Sequence, residues 1–76
     1  MNLHELDLRR LLCPMPVIRV AQAVEALTAG DRILARCTDP GVLQDIPAWC
    51  RVHGHRLCSA SEDKGLYLVE LEVGCP

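Results

Sequence analysis

Along this chain the spacing of apolar positions switches between two residues and about three and a half, and each switch marks an element. Residues 3–9, LHELDLR, alternate, with Leu6 and Leu8 on one face as in a half-buried strand. From Pro14 the period lengthens. Val17, Val20, Ala21, Val24 and Leu27 share one helical face, while Arg19, Gln22 and Glu25 fall elsewhere on the surface. TAGD at 28–31 is expected to end this helix, with Gly30 as a left-handed cap. Residues 32–38, RILARCT, alternate again, placing Ile33, Ala35 and Cys37 on one face and Arg32, Leu34 and Arg36 on the other.

DPG at 39–41 offers Asp39 as an N-cap and Pro40 in a first helical turn. A second helix then runs to about His53, with Leu43, Ile46, Trp49 and Cys50 at helical spacing and Gly54 closing it. Pro47 lies inside it and predicts a kink, or a short first turn followed by a restart. Residues 56–61 and 66–73 read as two strands joined by the turn EDKG. In the last strand Tyr67, Val69, Leu71 and Val73 face one way, and Leu66, Leu68, Glu70 and Glu72 the other. The order βαβαββ, with one apolar face per helix, predicts an α+β sandwich of two layers with both helices on one side of the sheet. Arg32 and Arg36 would share the open face with Glu70 and Glu72 and pair with them if their strands are neighbours. No linker, repeat or low-complexity segment interrupts residues 1–76, which read as a single domain.

Composition narrows the chemistry. The 76 residues are half hydrophobic yet contain no Phe, one Trp and one Tyr, so the core is aliphatic. A formal net charge of −2 argues against an electrostatic grip on nucleic acid. No apolar run approaches the ~20 residues that span a bilayer, and nothing resembles a signal peptide, so the expected setting is the cytoplasm. The five cysteines are odd in number and contain no C-x-x-C, which disfavours a disulfide scaffold, a zinc ribbon and a thioredoxin-type dithiol.

Cys13 stands apart because Pro14 and Pro16 follow it at the start of the first helix. Proline suits a first helical turn, where its missing N–H would have had no intrahelical partner. Pro14 also pushes its predecessor out of helical geometry, making Cys13 the expected cap residue. There the partial positive charge of the helix terminus, helped by Arg9 and Arg10, would lower the thiol pKa. The rigid start would hold the sulfur outward in one direction. Against this stands the general habit of free cysteine to be a small buried hydrophobe.

LDLRRLLCPMPVIRV at 6–20 resembles the opening of the TusA/SirA-like sulfur-carrier family, in which D-x-x-G-L-x-C-P-x-P precedes the first helix. The resemblance continues through AGD at 29–31, TDPGVLQDIPAWCRVHGH at 38–55 and the final hairpin. It implies a βαβαββ sandwich with a four-stranded mixed sheet. It also implies that Cys13 carries sulfane sulfur as a covalent persulfide, without a separate cofactor. Asp7 and Leu11 match motif positions before the cysteine, and Pro14 and Pro16 those after it. The family's usual glycine falls at Arg10; if that position needs a positive φ, Arg10 must strain or reshape the approach to Cys13. By the same resemblance, the donor would be a cysteine desulfurase or a rhodanese. The acceptor would be a protein of tRNA thiolation, molybdenum cofactor synthesis or sulfur oxidation. The carrier would have little turnover of its own and act as a monomer, without direct nucleic-acid contact or membrane insertion.

Other residues invite weaker readings. Cys50 is a possible second sulfur site or resolving thiol, but its helical spacing with Ile46 and Trp49 favours burial. Cys37 reads as core, Cys58 is ambiguous, and Cys75 is expected to be exposed and mobile. Cys50, His53 and His55 match no strong metal-ligand template. Asp39 and Pro40 read as a cap, in a loop that lies near the reactive end in the family. Arg9, Arg10, Arg19 and Arg51 read as solvated surface, or as a patch for an acidic partner. Two other functions fit the same sequence: a regulatory module in which Cys13 is redox-sensing or structural, and an accessory to sulfur-compound uptake.

Overall fold

The computed structural model describes Asn2–Gly74, so the reading of Cys75 lies outside the described residues. Strand β1 spans Leu3–Leu8, helix α1 Met15–Glu25, strand β2 Arg32–Cys37, helix α2 Val42–His53, strand β3 Arg56–Asp63 and strand β4 Leu66–Glu72. The four strands form one mixed sheet in the order β1-β2-β4-β3. The β1–β2 pair is parallel and the other two pairs are antiparallel. This is the expected α+β sandwich, with both helices packed on one face.

Alternation builds the core. Leu8 from β1, Ile33, Ala35 and Cys37 from β2, and Val69 and Leu71 from β4 are buried, and they meet Val20 of α1 and Val42, Ile46 and Cys50 of α2. With no Phe to fill space, β-branched and small side chains carry the packing. Burial at roughly 25 cal/mol per Å2 of apolar surface is the main favourable contribution. On the open face Arg32 bonds Glu70 and reaches Glu72, as expected of neighbouring strands. Arg36 does not join them: in register it faces Leu68, and it pairs instead with Glu5 of β1.

Several boundaries differ from the sequence expectation. Helix α1 ends at Glu25 with Ala26 as its cap, so Gly30 does not cap it. Gly30 is left-handed (φ 97°), but it turns the chain into β2 and donates its N–H to the Val73 carbonyl at 2.8 Å. Helix α2 runs through Pro47 without a break. Val42 and Ile46 on one side of the proline and Cys50 on the other are anchored in the core, which outweighs one absent hydrogen bond. The β3–β4 turn is shorter than EDKG, because only Lys64 (φ 53°) and Gly65 (φ 84°) leave the strands, both in the left-handed region a two-residue hairpin requires. A register shift between Leu57 and Ser59 explains why β3 is weakly patterned around Cys58.

Candidate functional site

Because β1 and β2 are parallel, the segments that follow them emerge at the same end of the sheet. There the approach to α1 meets the approach to α2. After Leu8 the chain turns through Arg9 and Arg10, and Leu11 packs partly against the core. Arg10 has φ 72°, the left-handed geometry its glycine-like position implied. Its N–H donates to the Thr38 hydroxyl oxygen at 2.8 Å, tying the turn to the end of β2. Such a conformation costs a non-glycine residue about 1–2 kcal/mol.

Cys13 is exposed, and the Cys13–Pro14 peptide is cis. Pro14 is the N-cap of α1, its carbonyl accepting the N–H of Ile18 at 3.2 Å. The thiol therefore stands one residue outside the cap position expected for it. Pro16 is buried in the first turn and fixes the helix start against the core.

Two carboxylates from the second crossover hold the cysteine. Asp39 accepts the Cys13 backbone N–H at 2.7 Å through one oxygen and the Gly41 N–H at 3.1 Å through the other. Asp39 thus closes a turn and clamps the loop that carries Cys13. It does not cap α2, whose N-cap is Gly41, and exposed Pro40 lies before the helix, its carbonyl accepting the Leu43 N–H. Asp45, in the first turn of α2, accepts the Cys13 thiol at 2.7 Å.

These acids reverse the electrostatic expectation. The hydrogen bond to Asp45 raises the Cys13 thiol pKa, with desolvation and the charges of Asp45 and Asp39 acting the same way. Arg9 does not offset them, because both ends of its guanidinium are bound to Asp7 at 2.8 and 2.9 Å. That pairing with Arg9 holds Asp7 down at about 2.

The structure thus brings Arg10, Cys13, Pro14, Asp39 and Pro40 to one end of the molecule. Cys50 is elsewhere, on the buried face of α2, with its pKa raised first by desolvation. His55 is engaged structurally: it stacks on Trp49 with ring centres 4.8 Å apart, and its Nδ1 accepts the Gly74 N–H at 3.1 Å. Sequence reasoning missed Asp45 and Thr38. One signal could have found Asp45. The helices after two parallel neighbouring strands start at the same end, so an acid in the first turn of the second lies near the start of the first.

Residues 4–73 match the sequence model of the family described as sulfurtransferase TusA. The chain is 41% identical over 63 residues to the sulfur carrier protein TusA of Pseudomonas putida, spanning 83% of this chain and 79% of that one. It is 36% identical over 72 residues to a candidate sulfur carrier protein of Neisseria meningitidis serogroup A, spanning 95% and 97%. The fold superimposes on the crystal structure of a SirA-like protein from Desulfitobacterium hafniense with a TM-score of 0.79 at 23% identity, covering 99% and 100% of the two chains. A match running from β1 to the residue after β4, with relatives this similar over most of their length, makes the chain a member of the TusA family.

Proposed function

We propose that this protein is a sulfur carrier that accepts sulfane sulfur on Cys13 and passes it to an acceptor protein. The observation that carries the reading is the exposure of Cys13 alone: among the described cysteines, Cys37 and Cys50 are buried and Cys58 is half-buried. A partner's sulfur can reach Cys13 directly. The family relationship supports the same role.

In the loading step Cys13 Sγ attacks the outer sulfur of a donor persulfide. The donor's S–S bond breaks, its inner sulfur leaves as a thiolate, and the Cys13 proton passes to Asp45, already its hydrogen-bond acceptor. The product is a Cys13 persulfide, whose terminal S–H is a stronger acid than a thiol and ionises more readily. In the unloading step an acceptor thiolate takes that outer sulfur, and Cys13 leaves as a thiolate that recovers its proton. The sulfur travels covalently and needs no separate cofactor. Exposed apolar side chains flank the thiol, Leu12 at 74%, Ile18 at 41% and Met15 at 37%, and supply the contact surface for a transient protein donor such as a cysteine desulfurase or a rhodanese. Among the described residues no helix is long and apolar enough to cross a membrane. A reducing cytoplasm is the compartment that suits such a thiol relay.

Intact-mass measurement tests the proposal. After incubation with a desulfurase and cysteine, or a rhodanese and thiosulfate, the protein gains the mass of one sulfur atom, and a reductant removes it. The gain disappears in Cys13→Ser and persists in Cys50→Ser. No gain from either donor overturns the reading.

A further inference from the structure

At the carboxyl ends of parallel strands β1 and β2 lies an open cleft of about 400 Å3 lined by Asp7, Arg9, Arg10 and Thr38.

Its charges do not balance. Asp7 and Arg9 neutralise each other in a two-pronged pair, whereas among the described residues Arg10 has no ion-pair partner and uses only its backbone N–H, toward Thr38. One positive charge is therefore left over in a polar concave site. Arg10 also occupies a left-handed backbone position at φ 72°, where glycine would sit without strain. A strained side chain in a cleft, with its charge uncompensated, is the kind of outlier from which a functional role is inferred.

We propose that this cleft is a binding site for a small inorganic oxyanion of the sulfate and thiosulfate class, with Arg10 as the residue that selects it. The planar guanidinium matches such anions in geometry as well as in charge. The Thr38 oxygen accepts from the Arg10 N–H, which leaves the hydroxyl hydrogen free to donate to the anion. An acidic protein surface is a poorer match, because docking at this end would bring it against Asp39 and Asp45 as well. A small anion fits within the cleft, whose lining includes neither of these carboxylates. The site does not depend on sulfur transfer at Cys13.

The test is titration of the isotope-labelled protein with sodium sulfate, and separately with sodium thiosulfate, at constant ionic strength, followed by amide NMR. Saturable shifts centred on the Arg10 and Thr38 amides are expected for the wild type and for Cys13→Ser. In Arg10→Gly the apparent affinity should fall roughly ten-fold or more, as expected when a charge-assisted contact is removed. Arg10→Gly relieves the backbone strain, so its thermal midpoint should hold or rise, and loss of binding cannot be assigned to unfolding. Absence of saturable shifts with both anions, or equal affinity in Arg10→Gly, overturns the proposal. Binding retained in Cys13→Ser separates this outcome from the fate of the sulfur-carrier reading, which is decided by the mass gain at Cys13.

Discussion

Cys13 and Cys37 lie at the same end of the sheet, and both thiols are pushed upward in pKa for different reasons. Cys37, the last residue of β2, is fully buried between strands and helices, and desolvation, with a smaller contribution from Asp39, raises it to about 11. Cys13 is exposed, and its rise comes first from the hydrogen bond to Asp45. The buried thiol is quiet because nothing reaches it, and stays so while the core is intact. The exposed thiol is biased toward its protonated form because one carboxylate accepts its hydrogen bond.

The largest effect that separates the two thiols comes from the core. Ile33 sits on the same inner face of β2 as Cys37 and is fully buried. Ile33→Ala should lower unfolding free energy by about 2–5 kcal/mol, measured by urea denaturation. Labelling of Cys37 by a thiol reagent requires opening of the core, so its rate should rise by roughly ten-fold for every 1.4 kcal/mol lost. Labelling of Cys13 under native conditions should hardly change. Equal acceleration at both sites would mean that the reactive loop unfolds with the core and is not independently exposed.

A smaller effect addresses the carboxylate. Asp45→Asn removes the charged acceptor of the Cys13 thiol, and the pKa of that thiol should fall. The pH profile of iodoacetamide alkylation should move to lower pH, with a several-fold faster rate at neutral pH because more of the sulfur is thiolate. Cys37, whose shift comes from burial, should not respond. An unchanged Cys13 profile would remove Asp45 from the site.

These contrasts explain how much could be read before the structure. Ile33, Ala35, Val69 and Leu71 were legible because alternation is local and burial follows it directly. Although Cys13 stands one residue outside the cap position expected for it, the start of α1 at Pro14 and Pro16 was legible for a similar reason, since it is written in consecutive residues. The electrostatics at Cys13 were not. They depend on Asp45, 32 positions away, which in one dimension looks like an ordinary acid favoured by a helix N-terminus. Asp39 read as a helix cap, but its carboxylate instead closes a turn and holds the Cys13 N–H, which is a consequence of strand pairing. Short-range signals placed the sulfur, and long-range ones set its protonation.

The smallest effect lies at the opposite end of α2, where a titrating ring anchors the chain after β4. His55 Nδ1 accepts the Gly74 N–H while the ring stacks on Trp49, and it can accept only while that nitrogen is unprotonated. Desolvation, with the neighbouring His53, lowers the His55 pKa below its ordinary 6.5. A depressed histidine favours the neutral ring in the folded state. Its stabilising contribution is therefore complete above pH 6.5 and declines as the pH falls through 6.5 toward the lower folded value. Because the ring is partly solvated, the loss should be on the order of a few tenths of a kcal/mol. Urea midpoints measured from pH 7.5 to 5 should show it as a fall that His55→Gln flattens. Gly74 has no room for a larger residue, since an added Cβ would lie 1.9 Å from the Gly54 carbonyl oxygen, so Gly74→Ala should weaken the anchor at every pH. Cys13 alkylation at pH 7.5 should be indifferent to both changes, because its acceptor sits in the first turn of α2 and the anchor beyond the last, about 18 Å apart for a helix of 12 residues. A Cys13 rate that tracked the His55 variants would mean that α2 couples the two ends, and the contrast between a fixed core and an independently held thiol would fail.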